Sequence, residues 1–209
     1  MNAQCTVIVL AAGLPGRFGG AGQNLMQQLD GGGDDGAVLS VTLRNAIASQ
    51  LPVLVVATAE LAPLAYRQVA ARHVVTMPPQ RKRGVGDAIA AGVSARAHAA
   101  GWLILPADMH RVRPQTLPKI ALALQTHAVA FAQFRGRRGH PVGFSAELFS
   151  ELVGLSGDEG ARRLVARYPS EAVDVDDPGV LMESEAEQAT AALRDIAGGV
   201  AVSPLPLSR

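Results

Sequence analysis

The fold is decided by residues 7–19, whose sequence is VIVLAAGLPGRFG. The first six residues are aliphatic without polar alternation, which is typical of a central parallel strand covered on both faces. Gly13, Gly16 and Gly19 follow at regular spacing and let the backbone approach a ligand closely. Backbone N–H groups in such a turn can converge on an anion, and Arg17 adds donors that suit phosphate oxygens. The segment therefore predicts either a phosphate-binding turn after a strand or a tight strand-to-helix connection with an exposed arginine.

Further strands and helices alternate along the rest of the chain. Apolar runs of strand length are separated by segments with apolar residues at helical spacing. Right-handed crossovers in such a chain place helices on both faces of a mostly parallel sheet. We therefore predict a three-layer, Rossmann-like α/β fold. The predicted strands are Thr6–Leu10, Val53–Ala57, Trp102–Leu105 and Ala128–Phe131, and the predicted helices are Leu39–Gln50, Ala62–Ala71, Gly86–Ala100 and Leu117–Gln125.

The composition indicates one domain across residues 1–209, with a flexible loop at 31–36 and a C-terminal tail at 199–209. The net charge is +1, so no overall field favours nucleic acid or an anionic membrane, and any phosphate recognition must be local. No segment approaches the length of a membrane span and no secretory leader is evident, so we expect a cytoplasmic protein. Cys5 is the only cysteine, which excludes an internal disulfide and a multi-cysteine metal site.

A carboxylate is expected beside the glycine-rich turn. Asp108 follows the predicted strand Trp102–Leu105, and the carboxyl ends of parallel strands meet at one edge of a sheet, where ligands bind. A carboxylate at that edge suits Mg²⁺, which commonly uses one or two carboxylates together with phosphates and water. An aspartate there can also cap a following turn. The position of Asp108 in the sequence leaves both roles open.

Five motifs, in order along the chain, resemble one family. Residues 10–19 are similar to an opening LAAGxSxRMG signature, residues 84–92 to a second loop, and residues 103–109 lie where the family has a strand ending in a GDxP turn. Residues 135–144 and 157–162 contain GRRGHPV and GDEGAR, which are similar to stretches of the cytidylyltransferase branch. The family is that of the nucleotidyltransferases with a nucleotide-diphospho-sugar transferase fold, and among them the MobA-like molybdenum-cofactor cytidylyltransferases and guanylyltransferases.

The resemblance implies transfer of a nucleoside monophosphate from CTP or GTP to the phosphate of molybdopterin, with release of pyrophosphate and the help of Mg²⁺. CTP is the nucleotide that the resemblance favours. Matched position by position, the implied roles are catalytic for Arg17 and Asp108, nucleotide-binding for Leu10, Ala11, Ala12, Gly13, Arg17, Asn24 and Gly84, acceptor-binding for Arg138, His140 and Arg162, and metal-binding for Asp108 and Glu185.

Three of these roles have structural alternatives. Glu185 lies where the family has a late DIDTP-like stretch, and it would equally begin a solvated helix over Glu185–Ala197. Arg162 would equally form an ion pair with Asp158, four residues earlier. His140 follows a run of arginines that suits an anionic phosphate, but a lone histidine is also a common structural residue.

The chain departs from the family pattern at three positions. Asn24 stands where the family has a phosphate-neutralising lysine, and Arg81-Lys82-Arg83 is either its substitute or a solvated loop. Asp87 replaces part of a serine-rich stretch, where it would repel phosphate or recognise a donor group of a base or sugar. His110 replaces the proline of the GDxP turn. These departures favour, as an alternative, a catalytically weakened homologue that binds nucleotide or cofactor and matures a molybdoenzyme. A sugar-phosphate nucleotidyltransferase is a third hypothesis.

Overall fold

The computed structural model describes residues 4–12, 23–27, 36–78, 84–157 and 160–181. Within these ranges the chain forms one seven-stranded sheet. The central strands are runs of aliphatic side chains that are buried along their whole length, as the sequence predicted. The strands are β1 (Cys5–Ala11), β2 (Val53–Thr58), β3 (Val74–Met77), β4 (Gly101–Pro106), β5 (Val129–Phe134), β6 (Arg137–Ser145) and β7 (Ser170–Asp174).

The strands follow the order β3-β2-β1-β4-β6-β5-β7 across the sheet. β1 pairs in parallel with β2 and β4, and β2 pairs in parallel with β3. β6 runs antiparallel to both of its neighbours, β4 and β5, and β5 pairs in parallel with β7. Only β6 therefore runs against the others in the described sheet, which confirms the prediction of a mostly parallel sheet.

Helices cover both faces of this sheet. They are α1 (Gln23–Met26), α2 (Val38–Ala48), α3 (Ala62–Tyr66), α4 (Val85–Ser94), α5 (Thr116–Ala123), α6 (Phe149–Val153) and α7 (Gly160–Arg167). The alternation of side chains along β1 shows how the layers form. Val7 and Val9 belong to a hydrophobic cluster with α2, α3 and α5, whereas Ile8 and Leu10 belong to a second cluster with α4, α6 and α7. This is the predicted three-layer arrangement.

The structure differs from the prediction in the number of strands, in three further helices (α1, α6 and α7) and in the length of two predicted helices. All four predicted strands are present with slightly different bounds, but β3, β6 and β7 were not predicted. β3 and β7 are the two edge strands and are mostly half-buried, so they lack a continuous apolar run. β6 is interrupted by glycines and a proline. Its Gly139 is needed because a Cβ there would overlap the backbone carbonyl group of Val180.

Two predicted helices end early. The helix predicted over Ala62–Ala71 ends at Tyr66, and the one predicted over Gly86–Ala100 ends at Ser94. The alanine-rich residues 95–100 instead form the turns that return the chain to β4, and the carbonyl oxygen of Arg96 there accepts a hydrogen bond from Trp102 Nε1 at 3.1 Å. Alanine favours a helix locally, but the chain has to turn back toward β4 here, and tertiary structure overrides a local helix propensity.

Three predicted segments lie outside the described residues. These are the helix Glu185–Ala197, the tail at 199–209 and the loop at 31–36, apart from Gly36, which is buried just before α2. In the described part of the chain, each helix is too short or too polar to cross a membrane.

Candidate active site

The ends of β1 and β4 lie side by side at one edge of the sheet. Leu10 pairs with Pro106, and the N–H of Ala107 donates to the carbonyl oxygen of Leu10 at 3.0 Å. The side chains of residues 10–12 are buried, so these residues can offer a nucleotide only their backbone groups. Asp108 therefore lies next to the point where the chain leaves β1, as the topology of the predicted sheet required.

Side chains of α2 hold the segment that carries Asp108. We call this segment, residues 106–113, the β4 turn. Thr42 Oγ1 donates to the carbonyl oxygen of Ala107 at 2.7 Å, and Asn45 Nδ2 donates to the carbonyl oxygen of His110 at 2.8 Å. The Oδ1 atom of Asp108 is buried. A carboxylate held in a fixed, partly buried position is suited to a hard divalent cation.

His110 braces the β4 turn at the position where the family has a proline. Its Nδ1 lies 3.1 Å from the carbonyl oxygen of Asp108. Because a carbonyl oxygen only accepts hydrogen bonds, Nδ1 must carry the hydrogen. A side-chain hydrogen bond thus restricts this turn in place of a proline ring, so the departure at His110 is compatible with a rigid turn.

Asp87 closes the beginning of α4. Its Oδ2 accepts hydrogen bonds from the N–H of Gly84 at 2.9 Å and from the N–H of Gly157 at 3.0 Å. The N–H of Gly86 donates to the carbonyl oxygen of Gly157 at 2.8 Å, and a Cβ on Gly86 would come equally close to that oxygen. The carboxylate therefore caps the helix and fastens it to the segment before α7. This capping role was not among the expectations for Asp87. It engages the N–H of Gly84, while the carbonyl oxygen of Gly84 accepts from the N–H of Ala88 at 3.5 Å, so both backbone groups of Gly84 are bonded within the protein.

A short hairpin between β5 and β6 carries the arginines of the GRRGHPV motif. We call its residues 134–138 the hairpin tip. Arg135 and Gly136 have φ angles of 49° and 75°, as the central residues of two-residue hairpin turns require. The guanidinium of Arg138 lies 4.1 Å from the centroid of the Phe131 ring. Partial burial of the Arg138 side chain lowers its pKa from the ordinary value, although the residue is exposed overall.

β6 brings the hairpin tip to the same edge of the sheet as Asp108. Ile104 near the end of β4 pairs with Val142 in antiparallel register. The part of β6 that precedes Val142 therefore continues beyond the end of β4, and it contains Arg138 and the half-buried His140. Two of the predicted acceptor-binding residues thus share one edge with the predicted metal ligand.

Several predicted site residues lie outside the described part of the chain. They are Gly13, Arg17, Glu185, the side chains of Asn24 and Arg162, and the basic run Arg81-Lys82-Arg83. Among the described residues, no group of three or more His, Cys, Asp or Glu side chains could hold a metal ion. Asp108 as a lone carboxylate still fits Mg²⁺ or Mn²⁺ at a site where substrate phosphates and water supply the remaining ligands.

The sequence analysis did not identify Thr42 and Asn45 as residues of the site. Both lie on α2, three residues apart, so they project from the same side of the helix. Thr42 is fully buried in a helix whose other buried residues are mainly apolar. A polar residue on the apolar side of a predicted helix is a signal that the sequence offers. It does not show which group the hydroxyl contacts.

The sheet order and the site at its edge define the class of the protein, which is an α/β protein with a nucleotide-diphospho-sugar transferase-like fold. Residues 7–173 match the MobA-like NTP transferase domain. The chain belongs to this family of nucleotidyltransferases.

Relatives of known sequence or structure agree with this membership. Purine catabolism protein PucB of Bacillus subtilis (strain 168) is 34% identical over 140 residues, which make up 60% of this chain and 66% of that protein. The crystal structure of Rv0371c from Mycobacterium tuberculosis H37Rv is similar with a TM-score of 0.71 and 26% identity, and the match covers 93% of this chain and 100% of that chain. Rv0371c has also been crystallised in complex with manganese.

The fold is shared with a more distant protein as well. Molybdopterin-guanine dinucleotide biosynthesis protein A from Archaeoglobus fulgidus is similar with a TM-score of 0.53 and 16% identity, over 82% of this chain and 84% of that chain. At this identity the similarity concerns the fold alone.

Proposed function

We propose that this protein transfers a nucleoside monophosphate from CTP, or less readily from GTP, to the phosphate of a molybdopterin-type acceptor. The observation that carries the proposal is the carboxylate of Asp108, held beside the end of β1 by the hydrogen bond from Ala107 to Leu10 at 3.0 Å. Membership of the MobA-like family supports the same reaction class. In this proposal the reaction takes place in the cytoplasm, without nucleic acid or membrane partners.

The proposed reaction depends on positioning and on neutralising charge. An oxygen of the acceptor phosphate forms a bond to the α-phosphorus of the nucleotide, the bond from that phosphorus to the bridging oxygen breaks, and pyrophosphate leaves with the electron pair. The backbone of residues 10–13 and Arg17 would hold the triphosphate, and Arg138 with His140 would receive the acceptor phosphate. Asp108, with Glu185, would hold Mg²⁺ or Mn²⁺, which supplies charge neutralisation when bound. The manganese complex of Rv0371c supports a divalent ion in this role.

A second candidate function is supported by one departure from the family pattern. Asn24 lacks the positive charge of the lysine that the family has at this position, and loss of one charged phosphate contact costs about a hundredfold in rate at such sites. This loss of charge favours a weakened enzyme, which binds nucleotide or cofactor and serves the maturation of a molybdoenzyme. Replacing Asn24 with lysine separates the candidates, because a large gain in rate supports weakening and a loss supports a site adapted to asparagine.

The test of the proposed function measures pyrophosphate release. The full chain is incubated with CTP, GTP, ATP or UTP, with Mg²⁺ or Mn²⁺, and with molybdopterin. We expect release that depends on the acceptor and is fastest with CTP, and we expect Asp108→Asn to lower it about a hundredfold or more. The matched control is Asp176→Asn, whose side chain is exposed. Nucleotide binding measured by calorimetry without release from any triphosphate would refute the enzymatic function and favour the second candidate.

A further inference from the structure

The α2 helix contributes two polar side chains to the β4 turn from a distant part of the sequence. Thr42 and Asn45 are both 65 residues away from the carbonyl groups that they contact. They lie three residues apart, so they meet the turn from one side of the helix. Asp108, the metal ligand of the proposed function, lies in this turn, and these two contacts concern how the turn is held.

The first contact fixes the peptide unit that precedes Asp108. The carbonyl oxygen of Ala107 accepts from Thr42 Oγ1 at 2.7 Å, and the N–H of Ala107 donates to the carbonyl oxygen of Leu10 at 3.0 Å. Thr42 Oγ1 also lies 3.0 Å from the carbonyl oxygen of Val38, but the shorter bond runs to Ala107. Ala107 is fully buried and thus held between β1 and α2.

The second contact fixes the residues that follow Asp108. The carbonyl oxygen of Asp108 accepts from His110 Nδ1 at 3.1 Å, and the carbonyl oxygen of His110 accepts from Asn45 Nδ2 at 2.8 Å. The N–H of Met109 donates to the carbonyl oxygen of Pro106 at 3.1 Å. The backbone on both sides of Asp108 is therefore anchored, which fixes the position of its Cα atom and the direction in which its side chain leaves the backbone.

We propose that Thr42 and Asn45 are positioning residues that orient the carboxylate of Asp108 toward the divalent ion. The inference rests on the proposed function, because it assigns a metal to Asp108. Groups that hold a metal ligand in place affect metal affinity and rate nearly as much as some ligands do. Neither residue touches the reacting atoms in this proposal, since each acts on the backbone that carries Asp108.

The test titrates the full chain with Mn²⁺ in the presence of CTP, follows free Mn²⁺ by electron paramagnetic resonance, and subtracts the Mn²⁺ that the same concentration of CTP binds without protein. Thr42→Val keeps the shape of the side chain and removes the hydroxyl, whereas Thr42→Ser keeps the hydroxyl. We expect Thr42→Val and Asn45→Leu each to weaken Mn²⁺ binding about tenfold, and Thr42→Ser to bind within about twofold of the wild type. In turnover assays we expect kcat to fall with Mn²⁺ affinity, while KM for CTP stays nearly constant.

Ser49→Ala provides the matched control. Ser49 lies just beyond the C-terminal end of α2, is 8% exposed, and donates from Oγ to the carbonyl oxygen of Ala46 at 2.6 Å. Its loss removes a comparable buried hydroxyl bond that does not involve the β4 turn. We expect Ser49→Ala to lower the melting temperature about as much as Thr42→Val does, with wild-type Mn²⁺ affinity.

The outcomes separate this inference from the proposed function. If Asp108→Asn abolishes Mn²⁺ binding and Thr42→Val does not weaken it, the inference is wrong and the metal site stands. If the wild type releases no pyrophosphate but the variants weaken Mn²⁺ binding as expected, the proposed reaction is wrong and the positioning role stands. A wild type that does not bind Mn²⁺ with CTP present overturns both.

Discussion

The β4 turn and the hairpin tip lie at the same edge of the sheet and are held by different forces. Most residues of the β4 turn are buried or half-buried, and two of its carbonyl groups are bonded to side chains of α2. Arg135 and Arg138 of the hairpin tip are exposed and lie over aromatic rings, Arg135 at 5.1 Å from the centroid of Phe134 and Arg138 at 4.1 Å from that of Phe131. The β4 turn holds a carboxylate in a fixed place, whereas the hairpin tip carries positive charge on solvent-exposed side chains.

The far end of the β4 turn shows the same kind of restraint. Asp177 is buried and accepts from the N–H of Arg113 at 2.8 Å, from Thr116 Oγ1 at 2.6 Å and from the N–H of Gly179 at 3.0 Å. The difference between the two regions matches their proposed tasks. Coordination of a cation requires ligand atoms fixed to a fraction of an ångström, whereas attraction of a phosphate acts over a longer range.

If the β4 turn is the more rigid of the two regions, the largest loss of stability is expected from a substitution at Gly179, which packs directly against this turn. A Cβ on Gly179 would overlap the carbonyl group of Arg111, which belongs to the backbone and cannot rotate away. We expect Gly179→Ala to lower the free energy of unfolding by about 3 kcal/mol, measured by urea denaturation. Gly154→Ala is the control, since a Cβ there would have ordinary contacts at 3.5 Å and 3.6 Å. Equal stability of the two variants would show that the β4 turn yields more easily than its contacts indicate.

An intermediate effect is expected at Arg138, and it concerns binding. Arg138→Lys keeps the charge but loses the planar group that lies over Phe131. If the hairpin tip binds the acceptor, KM for molybdopterin rises about fivefold, equivalent to ~1 kcal/mol, and KM for CTP stays unchanged. Arg135→Lys, over Phe134 at the longer distance of 5.1 Å, should change KM for molybdopterin about twofold or less. A rise in KM for CTP instead would mean that Arg138 binds the nucleotide and not the acceptor.

The smallest effect is expected at Gly136 in the hairpin tip. Among the described residues, nothing lies within 4 Å of a Cβ placed there, so the φ of 75° is what disfavours a side chain. We therefore expect Gly136→Ala to cost about 1 kcal/mol in the free energy of unfolding, with unchanged turnover, because the tip is restrained only by its own turn. Stability loss as large as that of Gly179→Ala would mean that the hairpin tip has a packing role, and the contrast between the two regions would fail.

The elements that were predicted well are those whose signal is local. The aliphatic run at residues 7–12 marked β1, and the apolar spacing of Leu39, Leu43 and Ala46 marked α2. The missing strands lack such a signal, since β7 is a short, half-buried edge strand and β6 carries glycines that its neighbours require. The role of Asp87 could not be predicted from the sequence, because it depends on an N–H of Gly157, 70 residues away.

The amino-acid sequence by itself determined the layered α/β architecture and the placement of Asp108 beside the end of β1. Both follow from apolar periodicity and from the rule that parallel strands end at one edge. Only the tertiary structure decided how Asp108 is held, with Thr42 and Asn45 bonded to carbonyl groups of the β4 turn. Every residue has a backbone carbonyl group, so the identity of the residue that accepts such a bond leaves no mark in the sequence.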